Sequence, residues 1–172
     1  MSDVRFLVTG ACGFIGSWVT KQLLDRGFEV TAYDIVDRSD RQSLVLSAAE
    51  LKRIHRVRGD INDTALLVRT IRKGSVSYVI HTAGLQTPEC RDRPIAGATV
   101  NVAGTLSVFE AVKACRDRVT CVAYASSGAV LGGDGPGASP LPDSAPRTPG
   151  TIYGVFKTAN EECARITWQD EG

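Results

Sequence analysis

The sequence lacks the clustered cysteines and histidines that hold metal ions or form disulfide frameworks. Its five cysteines lie far apart along the chain, and it has only two histidines. No Cys-x-x-Cys pair and no mixed cysteine and histidine cluster occurs, so we expect no metal site and no disulfide-stapled scaffold. Scattered cysteines of odd number are typical of reduced thiols, which predicts a cytoplasmic protein.

The chain also lacks a strong excess of either charge. Twenty Lys and Arg residues face 19 Asp and Glu residues, so the formal net charge is +1. This balance favours neither a nucleic acid nor a membrane as partner. We take the apolar runs to be short and interrupted by charge, which predicts no transmembrane helix. The start, MSDVRFLVTG, leads directly into a strand-like run without the design of a signal peptide.

The sequence does contain a regular alternation of two kinds of segment. Short apolar runs predict buried parallel strands at residues 4–9, 29–34, 55–58, 76–82 and 119–125. Helices are predicted at residues 15–26, 42–53, 64–73, 95–115 and 151–168, with Gly27 ending the first and Asp63 capping the third. This alternation indicates an α/β fold with a doubly wound parallel sheet and helices on both faces. With 172 residues and no internal repeat, we expect one domain over residues 1–172.

The segment 128–150 has a different composition from the rest of the chain. It holds five of the seven prolines and six glycines. We expect no regular element there, and a loop of this length inside a compact domain is usually functional or disordered.

A glycine-rich turn follows the first predicted strand. The sequence TGACGFIGS places Gly10, Gly13 and Gly16 at three-residue intervals. In a dinucleotide-binding turn the first glycine permits the tight exit from the strand, the second lets a pyrophosphate approach the backbone, and the third lets the helix pack closely. The helix N-terminus then offers N–H groups to the phosphates. The strand before and the helix after the turn favour this interpretation over a glycine turn without a ligand.

An acidic residue stands where such a site needs one. Asp34 ends the second predicted strand, 18 residues after Gly16. A carboxylate there accepts hydrogen bonds from the adenosine ribose and repels a 2′-phosphate, so we expect NAD as the cofactor rather than NADP. Arg38 lies close by in sequence, and it would reverse this preference if it folded onto the site.

Taken with this turn, further motifs resemble the extended short-chain dehydrogenases/reductases, specifically the NAD-dependent epimerase/dehydratase family (UDP-glucose 4-epimerase-like). The similar segments occur in the family's order: YD at 33–34, RGDI at 58–61, HTAGLQ at 81–86, VNVAGT at 100–105, YASSGAVLG at 124–132 and YGVFK at 153–157. The resemblance covers nearly the whole chain. It implies a Rossmann-like fold, NAD as cofactor, a small-molecule substrate that is a nucleotide sugar, and a homodimer packed through the helices at 95–115 and 151–168.

The resemblance also assigns roles to residues. It implies Ser127, Tyr153 and Lys157 as catalytic residues. It implies contacts to NAD from Gly10, Gly13, Phe14, Ile15, Gly16, Asp34, Asp60, Ile61, Thr82, Ala83, Gly84, Asn101, Tyr153 and Lys157. Ser126 is the other candidate serine, Asn101 alternatively satisfies buried backbone, and His81 is more typical of a structural histidine.

The chemistry of the pair at 153 and 157 supports this assignment. Residues four apart on a helix lie on one face, so the Lys157 ammonium would stabilise a tyrosinate at Tyr153. Tyr153 would then be a general base for a substrate hydroxyl while NAD supplies the hydride acceptor. A Tyr-x-x-x-Lys on a helix is by itself common surface sequence. The glycine-rich turn and the serine at position 127 favour a catalytic role for the pair Tyr153 and Lys157.

Two departures from the family keep other functions open. Leu131 stands where the family has a tyrosine, and family members usually continue for well over a hundred further residues that build the substrate domain. We therefore expect the chain to be part of a longer protein. The alternatives are a net dehydrogenase or reductase of a smaller hydroxy or keto compound, and a cofactor-binding module without turnover.

Overall fold

The computed structural model describes residues 4–37, 39–132, 142 and 144–171. The chain divides into two compact units, one made of Met1–Ala83 with Ser107–Ala125 and one made of Gly84–Leu106 with Ser126–Gly172. One domain over the whole chain stays a prediction.

A parallel sheet forms the centre of the first unit. Its strands are β1 (Arg5–Thr9), β2 (Glu29–Asp34), β3 (His55–Arg58), β4 (Tyr78–His81) and β5 (Cys121–Tyr124). They lie in the order β3-β2-β1-β4-β5, and every pairing is parallel. The strand order reverses between β1 and β4. In open α/β sheets, the crevice that binds ligands lies at the carboxyl ends of the strands at such a switch point. The Rossmann-like α/β fold expected from the sequence is confirmed.

The central strand β1 is buried on both faces. Leu7 and Val8 are each 0% exposed, and successive side chains of a strand point to opposite faces. On one face Val8 packs in a cluster with Ala11, Leu23, Leu24, Val30, Ala32, Leu46 and Ile54. Burial of one such leucine contributes about 1.5–3 kcal/mol. This cluster anchors α1 (Phe14–Asp25) beside the sheet and so fixes the glycine-rich turn that joins β1 to α1.

Two helix ends have the caps that the sequence predicts. Gly27 follows α1 with φ +80°, its N–H donates to the carbonyl of Leu24, and the N–H of Phe28 donates to the carbonyl of Leu23. These two bonds form a Schellman motif. At the start of α3 (Thr64–Lys73), the Asp63 carboxylate accepts the N–H of Leu66 at 2.8 Å.

The prediction of one helix over residues 42–53 is wrong. Gln42–Leu44 form a single 3₁₀ turn, and α2 covers only Ala48–Leu51. Ser47 accepts the N–H of Glu50 while the Glu50 carboxylate accepts the N–H of Ser47. Such a capping box begins a helix, so it separates α2 from the turn before it.

The chain beyond β4 also differs from the prediction. Helix α4 (Thr87–Asp92) was not predicted from the sequence, although Pro88 in its first turn is a helix-start signal. The helix predicted at 95–115 is α5 (Pro94–Ala98), a π-helical turn (Thr99–Ala103) and α6 (Gly104–Lys113). Single π turns occur often at functional sites.

The remaining bounds differ by a few residues. α7 (Ile152–Glu171) runs past the predicted end at 168, and β4 and β5 are shorter than the predicted 76–82 and 119–125. Within the segment 128–150, Gly128–Val130 form a 3₁₀ turn. Residues 133–141 and 143 lie outside the described residues, and so does the interpretation of that part of the segment.

One helical stretch has the composition of a membrane span. Pro94–Lys113 is long and apolar enough to cross a membrane, and 39% of the tested window is buried. The sequence has no charged residue from Pro94 to Phe109, so the view that every apolar run is interrupted by charge is wrong there. The core helix of a soluble protein passes the same test. A membrane location therefore does not follow, and the absence of a membrane partner stays a prediction.

Candidate functional site

The glycine-rich turn lies at the carboxyl end of β1. Gly10 has φ +67°, and a Cβ on it would lie 2.6 Å from the backbone nitrogen of Ala83. A Cβ on Gly16 would overlap the carbonyl oxygen of Gly10. Gly13 is the N-cap residue of α1. The turn is therefore packed too closely for side chains at positions 10 and 16. The first N–H groups of α1, which follow the turn, have no acceptor within the helix.

Apolar side chains flank these N–H groups. Phe14 and Ile15, the first residues of α1, are 71% and 54% exposed. The sequence predicts that this turn binds the pyrophosphate of a dinucleotide through Gly10, Gly13, Phe14, Ile15 and Gly16, and that role stays a prediction.

Asp34 lies at the end of β2 with both carboxylate oxygens held by backbone. Its Oδ2 accepts the N–H of Cys12 at 2.9 Å, and its Oδ1 accepts the N–H of Val36 at 3.1 Å. The carboxylate is therefore fixed beside the glycine-rich turn with lone pairs left for further donors. Arg38, the residue that would favour NADP, lies outside the described residues.

Asp60 and Ile61 follow β3. Asp60 is exposed, and its Oδ1 accepts the backbone and side-chain N–H groups of Asn62 at 2.9 and 3.0 Å. Ile61 is buried at 7% exposed. The carbonyl oxygen of Asp60 accepts the hydroxyl of Tyr33 at 2.7 Å, so β2 holds this corner in place.

Tyr33 gives a measurable pH dependence to that contact. Burial, with the charges of Asp63 and Asp60, raises the pKa of Tyr33 to about 12. A folded-state pKa above the unfolded value of ~10 gives stability that is present below pH ~10 and is lost as pH rises towards about 12. We expect the wild type to lose about 1 kcal/mol more unfolding free energy between pH 9 and pH 11 than Tyr33→Phe does.

Urea unfolding at pH 9, 10 and 11 measures this difference. Tyr78→Phe is the matched control, because it removes the same hydroxyl from a half-buried tyrosine of the same sheet. An equal alkaline loss in the wild type and in Tyr33→Phe would contradict the assignment to Tyr33.

Thr82 and Ala83 follow β4 in the first unit. The N–H and the hydroxyl of Thr82 both donate to the carbonyl of Thr9, at 3.1 and 2.7 Å. The Oγ1 of Thr9 also lies 2.6 Å from Nδ1 of His81. These bonds bring Thr82 and Ala83 to the crevice between β1 and β4, where Ala83 meets Gly10. His81 is buried, as expected of a structural histidine.

In the second unit, Asn101 binds the backbone of Leu85 on both sides. Its Oδ1 accepts the N–H of Leu85 at 2.7 Å, and its Nδ2 donates to the carbonyl of Leu85 at 2.9 Å. The same Nδ2 lies 3.3 Å from the Cys90 thiol, whose pKa is raised by burial. A Cβ on Gly84 would lie 3.2 Å from Asn101 Oδ1 and 4.0 Å from Lys157 Nζ. The Asn101 side chain thus holds the loop after β4 in place by binding the backbone of Leu85.

Tyr153 and Lys157 lie one turn apart on α7. The Nζ of Lys157 is 5.8 Å from the centroid of the Tyr153 ring. Lys157 is 8% exposed, and burial lowers its pKa, partly offset by Cys90. Tyr153 is half-buried. The Lys157 ammonium therefore lies near the ring of Tyr153, and the role of Tyr153 as a general base stays a prediction.

Ser127 caps the 3₁₀ turn of the same unit. Its Oγ accepts the N–H of Ala129 at 3.2 Å, which directs one lone pair to backbone and leaves the O–H as a donor. Ser126, the other candidate, donates to Glu161 Oε1 at 2.6 Å. The geometry therefore favours Ser127 over Ser126 for contact with a substrate. All the predicted roles in binding and catalysis stay predictions.

Sequence reasoning missed three supporting residues. Glu161 also accepts a hydrogen bond from Arg147, at 3.1 Å, and so ties Ser126 to the end of segment 128–150. Cys90 packs against Asn101, and Gln42 reaches the glycine-rich turn. Glu161 stands four residues after Lys157, a spacing that signals the same helix face. Cys90 and Gln42 carry no such signal. Among the described residues, no group of three or more His, Cys, Asp and Glu is placed to hold a metal ion.

Known proteins are similar to this chain in sequence and in fold. The chain is 32% identical to a UDP-glucose 4-epimerase of Azospirillum brasilense, over 94% of this chain and 44% of that protein. It is 33% identical to UDP-glucose 4-epimerase 4 of Oryza sativa, over 96% and 45%. The chain thus spans about half the length of these relatives.

A solved structure has a similar fold and a bound cofactor. The UDP-glucose 4-epimerase of Thermus thermophilus, in complex with NAD, superimposes with a TM-score of 0.84 at 27% identity, over 97% of this chain and 51% of that one. The enzyme of Bifidobacterium longum, in complex with NAD⁺ and UDP, gives 0.83 at 28% identity, over 98% and 50%. Residues 6–172 match the NAD dependent epimerase/dehydratase family, and the chain belongs to that family.

Proposed function

We propose that this chain binds NAD and supports epimerase- or dehydratase-type chemistry on a nucleotide sugar. One observation carries the proposal: a turn that excludes side chains at Gly10 and Gly16 lies beside Asp34, whose carboxylate is fixed by two backbone N–H groups. Phosphate and ribose need this combination. The UDP-glucose 4-epimerases among the relatives support a nucleotide sugar as substrate.

Three residues of the chain have separate roles in the proposed reaction. NAD, when bound, supplies the hydride acceptor. Tyr153 takes the proton of the substrate hydroxyl, and the Lys157 ammonium stabilises the tyrosinate that does so. Ser127 donates its O–H to the same substrate oxygen while Ala129 holds its Oγ in place. Lys157 also binds the nicotinamide ribose, as the family resemblance implies.

Calorimetric titration with NAD and NADP tests the cofactor. We expect NAD to bind more tightly than NADP because Asp34 repels a 2′-phosphate. Gly13→Trp should abolish binding, since the indole fills the space that the pyrophosphate needs. Gly27→Trp is the control, because position 27 lies at the other end of α1 and a Cβ added there would meet no atom within 4 Å. Its positive φ adds backbone strain, so NAD binding is measured under conditions in which circular dichroism shows both variants to be folded.

The outcomes separate the candidate functions. Equal binding by wild type and Gly13→Trp would contradict a site at the turn. Tight NAD binding without turnover of UDP-glucose would favour a cofactor-binding module. Release of NADH with product would favour a net dehydrogenase.

The assembly and the location belong to the same proposal. α7 exposes Ile152, Val155, Ile166 and Trp168, which are 45%, 48%, 47% and 72% exposed. Apolar surface of this kind favours a partner, and a homodimer through α7 provides one. Light scattering of the purified chain measures its mass in solution. We place the protein in the cytoplasm as part of this proposal, on the basis of its scattered cysteines. No disulfide joins them in the part of the chain that the structure describes.

A further inference from the structure

We infer that Gln42 is a positioning residue of the cofactor site, which holds the peptide group between Ala11 and Cys12 so that Asp34 faces the ribose of NAD. The inference rests on the NAD binding proposed above. It assigns a role to a residue outside the glycine motif and 31 positions from Ala11.

Gln42 is a polar side chain in the core. It is 0% exposed, and so is Ala11 in the glycine-rich turn. Its Nε2 donates to the carbonyl of Ala11 at 3.0 Å, and its Oε1 accepts from Nη2 of Arg56 on β3 at 2.6 Å. Both ends of the buried amide are therefore paired, as a buried polar group requires.

Arg56 fixes which way the amide points. A guanidinium only donates hydrogen bonds, so it must face the oxygen of Gln42. The NH₂ group then has to face the carbonyl of Ala11, which only accepts. Each group has one possible partner here, so the orientation of Gln42 follows from chemistry alone.

The carbonyl of Ala11 and the N–H of Cys12 belong to one planar trans peptide group. They point in opposite directions because the group is rigid. Gln42 holds the carbonyl end, and Asp34 Oδ2 accepts the N–H end at 2.9 Å. The peptide is thus held from both sides, and its rotation would break both bonds together.

A chain of hydrogen bonds therefore runs from the Arg56 guanidinium through Gln42 and this peptide to the Asp34 carboxylate. The dipoles of the two amides point the same way, with a cation at one end and an anion at the other. Aligned hydrogen bonds of this kind strengthen one another in a low-dielectric interior. A leucine or methionine at position 42 would fill similar space but leave the Ala11 carbonyl and Arg56 without this partner.

Loss of Gln42 is expected to weaken recognition of the NAD ribose by Asp34. Asp34 can accept the ribose hydroxyls only while its carboxylate stays in this orientation, and the Cys12 N–H is one of its two backbone donors. Without Gln42 the peptide turns more freely and Asp34 loses a fixed donor. Gln42 thus acts on NAD through Asp34.

A double-mutant cycle with Gln42→Met and Asp34→Ala, titrated with NAD and with 2′-deoxy-NAD, tests this. We expect Gln42→Met to raise the Kd for NAD about tenfold, the effect of one lost buried hydrogen bond. The ratio of the Kd for 2′-deoxy-NAD to the Kd for NAD should decrease in the same variant. In the Asp34→Ala background, Gln42→Met should change neither Kd.

Gln22→Met is the matched control. It removes the same kind of side chain and the same kind of glutamine–arginine bond, here to Arg26 on the exposed face of α1. Its NAD affinity should equal that of the wild type. If Gln42→Met does not fold, Arg56→Met replaces it, because Arg56 is only half-buried and its loss frees the same amide.

Four results would overturn the inference. Additive effects of the two substitutions would mean that Gln42 does not act through Asp34. An equal loss for NAD and 2′-deoxy-NAD would mean a general defect of the fold. If the wild type itself binds neither nucleotide, the proposed function fails first and the inference with it, whereas normal wild-type binding with an unaffected Gln42→Met sinks the inference alone.

Discussion

A valine at position 10 should cost far more stability than a valine at position 27. Both glycines have positive φ, +67° and +80°. A Cβ at Gly10 would lie 2.6 Å from Ala83 N, 2.7 Å from Ala83 Cα and 2.8 Å from the carbonyl carbon of Thr82, whereas a Cβ at Gly27 meets no atom within 4 Å. The comparison therefore separates backbone strain, which both variants share, from the clash, which only one has.

The magnitudes differ enough to measure. Strain at a positive φ costs about 1–3 kcal/mol, so Gly27→Val should lose that amount. The atoms near Gly10 are all backbone and cannot rotate away, so Gly10→Val should lose more than about 4 kcal/mol and all NAD binding. Urea unfolding monitored by circular dichroism gives both values. Equal losses would contradict the close packing of the turn on the end of β4.

Local sequence signals predicted the parts of the molecule that depend on local chemistry. The strand, turn and helix around Gly10 and Gly16 could be predicted from the three-residue spacing of the glycines, because a Cβ at either position would clash with neighbouring backbone atoms. The caps at Gly27 and Asp63 are confirmed for the same reason. The parallel sheet follows from alternation, which leaves few other topologies.

The contacts that support the candidate site could not be predicted in this way. Asn101 reaches Leu85 across 16 positions, Gln42 reaches Ala11 across 31 and Ser126 reaches Glu161 across 35. Such partners are set by the tertiary fold, and an isolated Gln or Asn gives no sign of its partner. The prediction of one helix over residues 42–53 was also wrong. The capping box at Ser47 begins a new helix within a stretch whose apolar pattern indicates one helix.

Replacing Lys157 with methionine should make the protein more stable and less functional. Burial lowers the pKa of Lys157, which means that the fold penalises its charged form. An apolar side chain of similar length avoids that penalty, so we expect Lys157→Met to gain about 1 kcal/mol of unfolding free energy at pH 7. In the proposed function Lys157 binds the nicotinamide ribose and stabilises the Tyr153 tyrosinate. We therefore expect Lys157→Met to lower both the NAD affinity and any turnover. A stable variant without activity would show that Lys157 is kept for chemistry at a cost in stability.

The pH dependence identifies the cause of the gain. A lysine whose folded-state pKa lies below 10.5 gains stability as pH rises from the folded value towards 10.5, because the unfolded chain then holds the proton that the fold has lost. The advantage of Lys157→Met over the wild type should therefore be largest near pH 7 and shrink as pH approaches 10. Lys73→Met, on an exposed lysine at the end of α3, is the control and should show no such gain. A Lys157→Met variant that is less stable than the wild type at pH 7 would show that the partners of Lys157 outweigh the desolvation of its charge.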